Sequence, residues 1–287
     1  MRRVWEAAYI MKANLTLGLA LVAPCLIGGC AASGDGPSFG NVGRNFADDW
    51  TGARGYDRAA LALDRGDLPR VREVGRALNA RIEGGSRGAF SVASAWMNAR
   101  AAEAGALETE ASDTGDAFDR IQTRRDANRL YRGALAFLPS NRRTLRQLDP
   151  QTLNSLGYFL AQRGGGPKDF RRAADLTHLA LELSPATNSV ERFVRASGPQ
   201  DSYAWALFKQ GQTAKALATQ IEVLSTLSDK SYKNFPINAE VVYHMGAILR
   251  VAGHEEQARA AFRAALGLKP SVELEEILNS TVEGRVT

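Results

Sequence analysis

The sequence has two cysteines in 287 residues, and both, Cys25 and Cys30, fall within the first thirty. From Ala31 onward there is neither a thiol for nucleophilic catalysis nor a disulfide to staple a fold. Histidine is nearly as scarce, with three copies: His178, His244 and His254. None has the company that zinc requires. "HEEQA" (residues 254–258) puts Ala258 where a zinc-protease helix carries its second histidine. Glu240 and His244 share a helix face, but two ligands do not hold zinc. No Gly-x-Ser-x-Gly elbow occurs. The glycine-rich "RGGGPKDF" (163–170) lacks the Walker spacing and its Gly-Lys-Ser/Thr ending, and reads as a loop between helices. Carboxylates are plentiful, yet none stands out as an acid–base pair. The expectation is no catalytic residue, no metal and no cofactor.

Other absences narrow the class further. The formal net charge is +5, and two units of it come from Arg2, Arg3 and Lys12 set against Glu6. No concentrated Lys/Arg stripe with interleaved aromatics remains, so nucleic acid is not an expected partner. No sustained period-two alternation marks a sheet. The chain is 45% hydrophobic, 23% charged and 8% aromatic. That composition buries a core and is not that of a disordered chain.

The N-terminus also lacks something: its apolar stretch, Leu15 to Ile27, is about 13 residues, short of the roughly 20 that span a bilayer. Basic residues, a short apolar stretch and then small residues give the layout of a secretory signal. Met11, followed by Lys12, is an alternative start. The segment ends in "LIGGC" (26–30), which resembles the bacterial lipobox: an apolar residue three before the cysteine, with small residues between. The resemblance implies that Cys30 is lipidated with fatty acid (palmitate) and becomes the new N-terminus. A signal peptide cleaved near "CAAS", or an uncleaved weak anchor, is the alternative reading. Residues 1–29 would be the leader, and 30–50, rich in Gly, Ser and Asp, a flexible tether. Ala31 resembles the outer-membrane sorting pattern, which places the body in the periplasm. The membrane partner would be reached through the lipid, since stable anchoring takes more than one acyl chain.

From 51 to 287 apolar residues recur at three- and four-residue spacing, and alanine, leucine and arginine, all good helix formers, dominate. The expected fold is all-α. In "AEVVYHMGAILRVAGHEEQARAAFRAALGLKP" (239–270), Asn238 caps one helix and Gly253 ends it. Val242, Met245, Gly246, Leu249, Ala258, Phe262, Ala265 and Pro270 then resemble the tetratricopeptide (TPR) repeat pattern. Small Gly246 and Ala258 suit a close helix crossing, and Phe262 fills the gap to the next pair. Further matches are Leu153, Leu156, Gly157 and Leu160, continued by Ala173, Ala180 and Pro185. Tyr203, Ala204, Leu207, Gly211 and Ala216 form another set, and Ala127, Tyr131, Ala134 and Pro139 supply a second helix. A weaker pair, 56–78, turns at Gly66. About five pairs imply a TPR-type solenoid, with "SVELEEILNS" (271–280) as a C-terminal capping helix: Val272, Leu274, Ile277 and Leu278 lie on one face and glutamates on the others.

Departures from the pattern are visible. Gly157, Ala204 and Gly246 are 47 and 42 residues apart instead of about 34. The excess falls near "TNSVERFVRASG" (187–198) and "STLSDKSYKNFP" (225–236), read as loops or short extra helices. An insertion near 106–119, "ALETEASDTGDAF", carries only negative charges and reads as a solvated loop or a docking segment.

In the TPR family, the side of each first helix opposite the core lines a concave groove. Here the resemblance assigns Asn154, Tyr158, Asp201, Trp205, Phe208, Tyr243 and Arg250 to that groove, where aromatics and arginine are the usual anchors for a protein or peptide partner. Trp205 and Phe208 have a second reading, as residues that simply pack against a neighbouring pair. The function implied is a membrane-anchored periplasmic scaffold assisting assembly of an envelope complex, similar to lipoproteins of pilus, secretion or polysaccharide-export systems. The alternative is an accessory regulator of a cell-wall enzyme, or a divergent hydrolase.

Overall fold

Why the chain turns where it does is set by a few capping residues. Gly66, Gly211 and Gly253 have φ of +73°, +78° and +86°, the left-handed conformation that closes a helix C-terminus at no steric cost. Asn238 opens a helix by accepting from the Glu240 amide, 2.9 Å away. Asp67, Ser86, Asp116 and Asp149 cap other helices in the same manner.

The computed structural model describes residues 54–184, 190–227 and 237–282. Cys30, the leader 1–29, the tether 30–50, Pro185 and most of the 225–236 linker lie outside them. Among the described residues there are twelve helices and no strand. They are α1 (54–64), α2 (Leu68–Glu83), α3 (Arg87–Asp113), α4 (Ala117–Leu135), the single-turn α5 (Arg142–Leu145), α6 (Pro150–Arg163) and α7 (Pro167–Leu183). The remainder are α8 (Val190–Lys209), α9 (Thr213–Leu227), α10 (Ala239–Val251), α11 (Glu255–Leu266) and α12 (Val272–Val282). None is long and apolar enough to cross a membrane.

Consecutive helices pack as adjacent pairs: α3 on α4, α6 on α7, α8 on α9 and α10 on α11. Glycine sets the closeness of two of them. A Cβ on Gly157 would lie 2.6 Å from the Thr177 methyl, and one on Gly246 would lie 2.5 Å from the Phe262 ring. Gly246 is a crossing residue expected from the sequence, and Gly157 holds the equivalent position of an earlier pair. Phe262 fills the crossing inside its own pair and also clusters with Leu278 of α12.

Three sequence expectations need correction. The acidic stretch 106–119 is not a loop: 106–113 completes α3, with Ala111 fully buried, and only 114–116 is non-helical. Glu108 there faces Arg124 and Arg163 instead of solvent alone. Of the two readings offered for 187–198, loop or short extra helix, residues 190 to 198 are helical, but as an extension of α8, which runs through Pro199 to Lys209, and not as a separate helix. Finally, α12 does not seat all four apolar residues. Leu278 is buried and Leu274 partly so, while Val272 and Ile277 are exposed. Two of its glutamates hold it instead: Glu276 pairs with Arg120 (2.6 Å) and Glu273 with Arg124, both on α4. The C-terminal helix therefore returns to the α3–α4 hairpin as well as covering α11.

Leu278→Ala should cost about 2–5 kcal/mol, since it empties a fully enclosed site. Ile277→Ala, one residue away and exposed, should stay within about 0.5 kcal/mol. Urea melts of the two variants separate them.

Candidate functional site

Four of the groove residues named from sequence, Tyr158, Asp201, Trp205 and Phe208, do meet, but as a buried knot. His244, on α10, is 0% exposed. Its Nδ1 lies 3.0 and 3.1 Å from the two carboxylate oxygens of Asp201 on α8. Its Nε2 lies 3.3 Å from the Tyr158 hydroxyl on α6. Tyr158 donates to Glu240 and accepts from the Gln162 amide at 2.6 Å. Gln220, on α9, donates to Asp201 at 2.6 Å and to the Val241 carbonyl at 3.0 Å. Four helices from three pairs are thereby pinned to one register.

Hydrogen-bond accounting fixes the proton positions. Burial, reinforced by Glu240, holds the Tyr158 phenol well above its ordinary pKa, so it stays protonated and donates to Glu240. Its oxygen is then left as acceptor, which makes His244 Nε2 a donor, while Nδ1 donates to Asp201. A proton on each ring nitrogen gives both of these contacts a donor. Burial alone would push the imidazole pKa down, but the Asp201 charge and hydrogen bond outweigh it and the net shift is upward. Trp205 lies flat over this ring, centroids 4.2 Å apart and 18° from parallel, and Phe208 stacks on Trp205 at 5.0 Å. An indole face over an imidazolium is a favourable arrangement.

The knot has consequences for the sequence assignment. Trp205 is 5% exposed and Asp201 6%. Neither offers its side chain to a docking partner: Asp201 is engaged by His244 and Gln220, and Trp205 is enclosed against the His244 and Phe208 rings, its Nε1 without a hydrogen-bond partner. Tyr243 is half-buried beside Trp205, and Arg250 sits over the Phe262 ring at 5.4 Å, away from the knot. Asn154 is half-buried, its Oδ1 enclosed without a hydrogen-bond partner. The seven residues do not form one open surface. The Asp201–His244 pair, for its part, is shut away from any substrate. Among the described residues no three His, Cys, Asp or Glu side chains are placed to hold a metal.

A second feature was not foreseen. A cleft of about 660 Å³ lies between α2, α4, α6 and the start of α7, with Arg72, Arg76, Arg132, Arg163 and Asp169 around Pro69, Leu135, Ala136, Phe159 and Leu160. Its geometry begins at Gly75. A Cβ there would lie 2.1 Å from the Ala136 carbonyl oxygen, so α2 touches the backbone at the end of α4. Arg72 and Arg76 flank Gly75 at helical spacing and are carried to the cleft with it. The end of α4 is fixed from two more sides: Asn79 donates to the Leu138 carbonyl at 3.2 Å, and the Trp96 indole donates to the Gly133 carbonyl at 3.1 Å. Phe159 is backed by Tyr131, stacked at 4.6 Å, whose phenol pKa burial and the Glu108 charge push up to about 12.

Among the described residues Arg72, Arg76 and Arg132 make no ion pair, and Arg163 reaches only Glu108, at 3.9 Å. Asp169 accepts from the Gly165 amide at 2.7 Å. The one signal in the sequence was the Arg-x-x-Gly-Arg run 72–76; its partners lie some 60 to 90 residues further on.

Neither a protein-family model nor any curated protein matches the chain.

Proposed function

We propose that this protein is a lipid-anchored scaffold of the bacterial envelope, its helix pairs of tetratricopeptide type, presenting surfaces that bind another polypeptide. What carries the reading is serial packing: helices rest chiefly on their neighbours in the chain. Stacks of hairpins built in this way present long side faces and clefts between hairpins, the usual seats of protein partners. "LIGGC" supplies the anchor, with Cys30 as the acylated residue and the outer membrane, periplasmic side, as the location. The buried knot at Tyr158, Asp201, Trp205 and His244 acts in this reading as a brace that keeps three pairs in fixed register.

Cells fed an alkyne fatty acid should label the wild-type protein and not Cys30→Ser. The serine variant should also move from the membrane fraction to the soluble one. Equal labelling of the two proteins would remove the anchor from the account.

A further inference from the structure

Four guanidinium groups and one carboxylate border the 660 Å³ cleft. Three of the four have no ion-pair partner among the described residues. Gathering four like charges against a single carboxylate disfavours the compact state, and an anion entering the cleft relieves it. The positions are not incidental, because the backbone contact at Gly75 brings Arg72 and Arg76 against the end of α4 that carries Arg132. Arg163 adds to the excess: it shares Glu108 with Arg124, whose own pKa is lowered by burial and then by Arg163.

Two properties define the ligand. Arginine presents a planar fork that matches a carboxylate with two parallel hydrogen bonds. The cleft is also about half apolar, with Pro69 exposed and Leu135 and Ala136 half-buried at its surface. A bare polyanion leaves that half uncovered, and an uncharged apolar group leaves the arginines unmatched. The volume lies within the roughly 300–1,000 Å³ typical of sites for compact ligands, so a short segment fits and a whole domain does not.

We propose that the cleft between α2, α4, α6 and α7 binds a short acidic segment of a partner protein, with carboxylates on Arg72, Arg76 and Arg132 and an apolar side chain against Leu135 and Ala136. This rests on the scaffold reading above and names the partner's chemistry.

The test is fluorescence anisotropy on the full chain with a labelled hexapeptide in which four acidic residues flank a leucine and a phenylalanine. Two comparison peptides replace the acids by their amides, or the apolar pair by glycines. Binding should weaken tenfold or more with either comparison peptide, and by the same factor in Arg72→Glu/Arg132→Glu. It should be unchanged in Arg143→Glu/Arg263→Glu, which alters exposed arginines outside the cleft. The altered residues are exposed, and unchanged helical circular dichroism confirms folding. Arg72→Gln/Arg132→Gln should weaken binding in the same direction without reversing charge. Equal binding by the two glutamate doubles overturns the proposal, as does equal binding of the amide peptide. Displacement by millimolar inorganic phosphate as effective as by unlabelled peptide reduces the cleft to a small-anion site. Binding to phosphatidylglycerol vesicles, lost in the cleft variant, in a protein that ignores the peptide assigns the cleft to lipid. Both results overturn it. Crosslinking of the protein to neighbours through surface lysines does not depend on the cleft, so the scaffold reading survives failure here.

Discussion

Asp201→Ala is expected to lower folding stability by about 3–5 kcal/mol, the cost of leaving a buried charge without its partner. The partner is His244, fully enclosed, with Nδ1 3.0 Å from the carboxylate and the Trp205 ring across its face. Gln220 loses an acceptor in the same substitution. The effect should depend on pH. His244 has a folded-state pKa above its ordinary 6.5. The imidazolium contribution is therefore complete below about pH 6.5 and is lost as pH rises through the folded value. Thermal melts of the wild type across that window should show this decline. In Asp201→Asn the decline should be much shallower, because the charge that raises the imidazole is gone. If both proteins melt with the same pH dependence, His244 is neutral and the proton assignment fails.

Gly75→Ala is expected to be the costliest methyl addition in the described chain. Glycine within a helix sacrifices about 0.5–1 kcal/mol relative to alanine, so a glycine-to-alanine change in open space is neutral or better. At Gly75 the new Cβ would stand 2.1 Å from the Ala136 oxygen and 2.7 Å from its carbon. Both are backbone, and no rotamer change relieves the clash. Separating α2 from α4 should cost at least the 1–3 kcal/mol of ordinary overpacking, and it should widen the arginine cleft. Gly133→Ala meets only the Leu63 methyls, at 2.9 and 3.0 Å, which a rotamer change can move; about 1 kcal/mol is expected. Gly115→Ala meets nothing within 4 Å and should be silent. Equal melting points for the three would mean that α2 and α4 do not meet at Gly75.

The contrast among these residues shows which parts of the molecule could be read from the sequence. The helices were legible because their signals are local: spacing of apolar residues, left-handed glycines at 66, 211 and 253, and Asn238 as a cap. The all-helical class and the crossings at Gly157 and Gly246 followed from that. The acidic stretch reads as solvated from its charge alone. Ala111 and Glu108 in fact give that segment an inner face, which continues α3. On α12 the face expected to be apolar and the face that docks differ, because Arg120 and Arg124 arrive from 150 residues away.

The site divides along the same line. Asp201, Tyr158 and Trp205 read from spacing as groove residues, whereas Trp205 follows its other reading and packs into the core. Their exposure could not be read, since it depends on His244 and Glu240 of a later helix closing over them. Gln162 and Gln220 carried no signal at all. Arg72 and Arg132 lie 60 residues apart in the sequence, and the backbone contact at Gly75 makes them neighbours.

The central claim is that the body holds another protein at the membrane. It is tested most directly by amine-reactive crosslinking in intact cells through the exposed Lys168, Lys215 and Lys269, followed by mass spectrometry of the adducts. The expected result is a defined adduct with one or a few envelope proteins, formed by the wild type and strongly reduced in Cys30→Ser. Recovery of the wild-type protein free of any adduct to another polypeptide, at crosslinker levels that join its own helices, would contradict it.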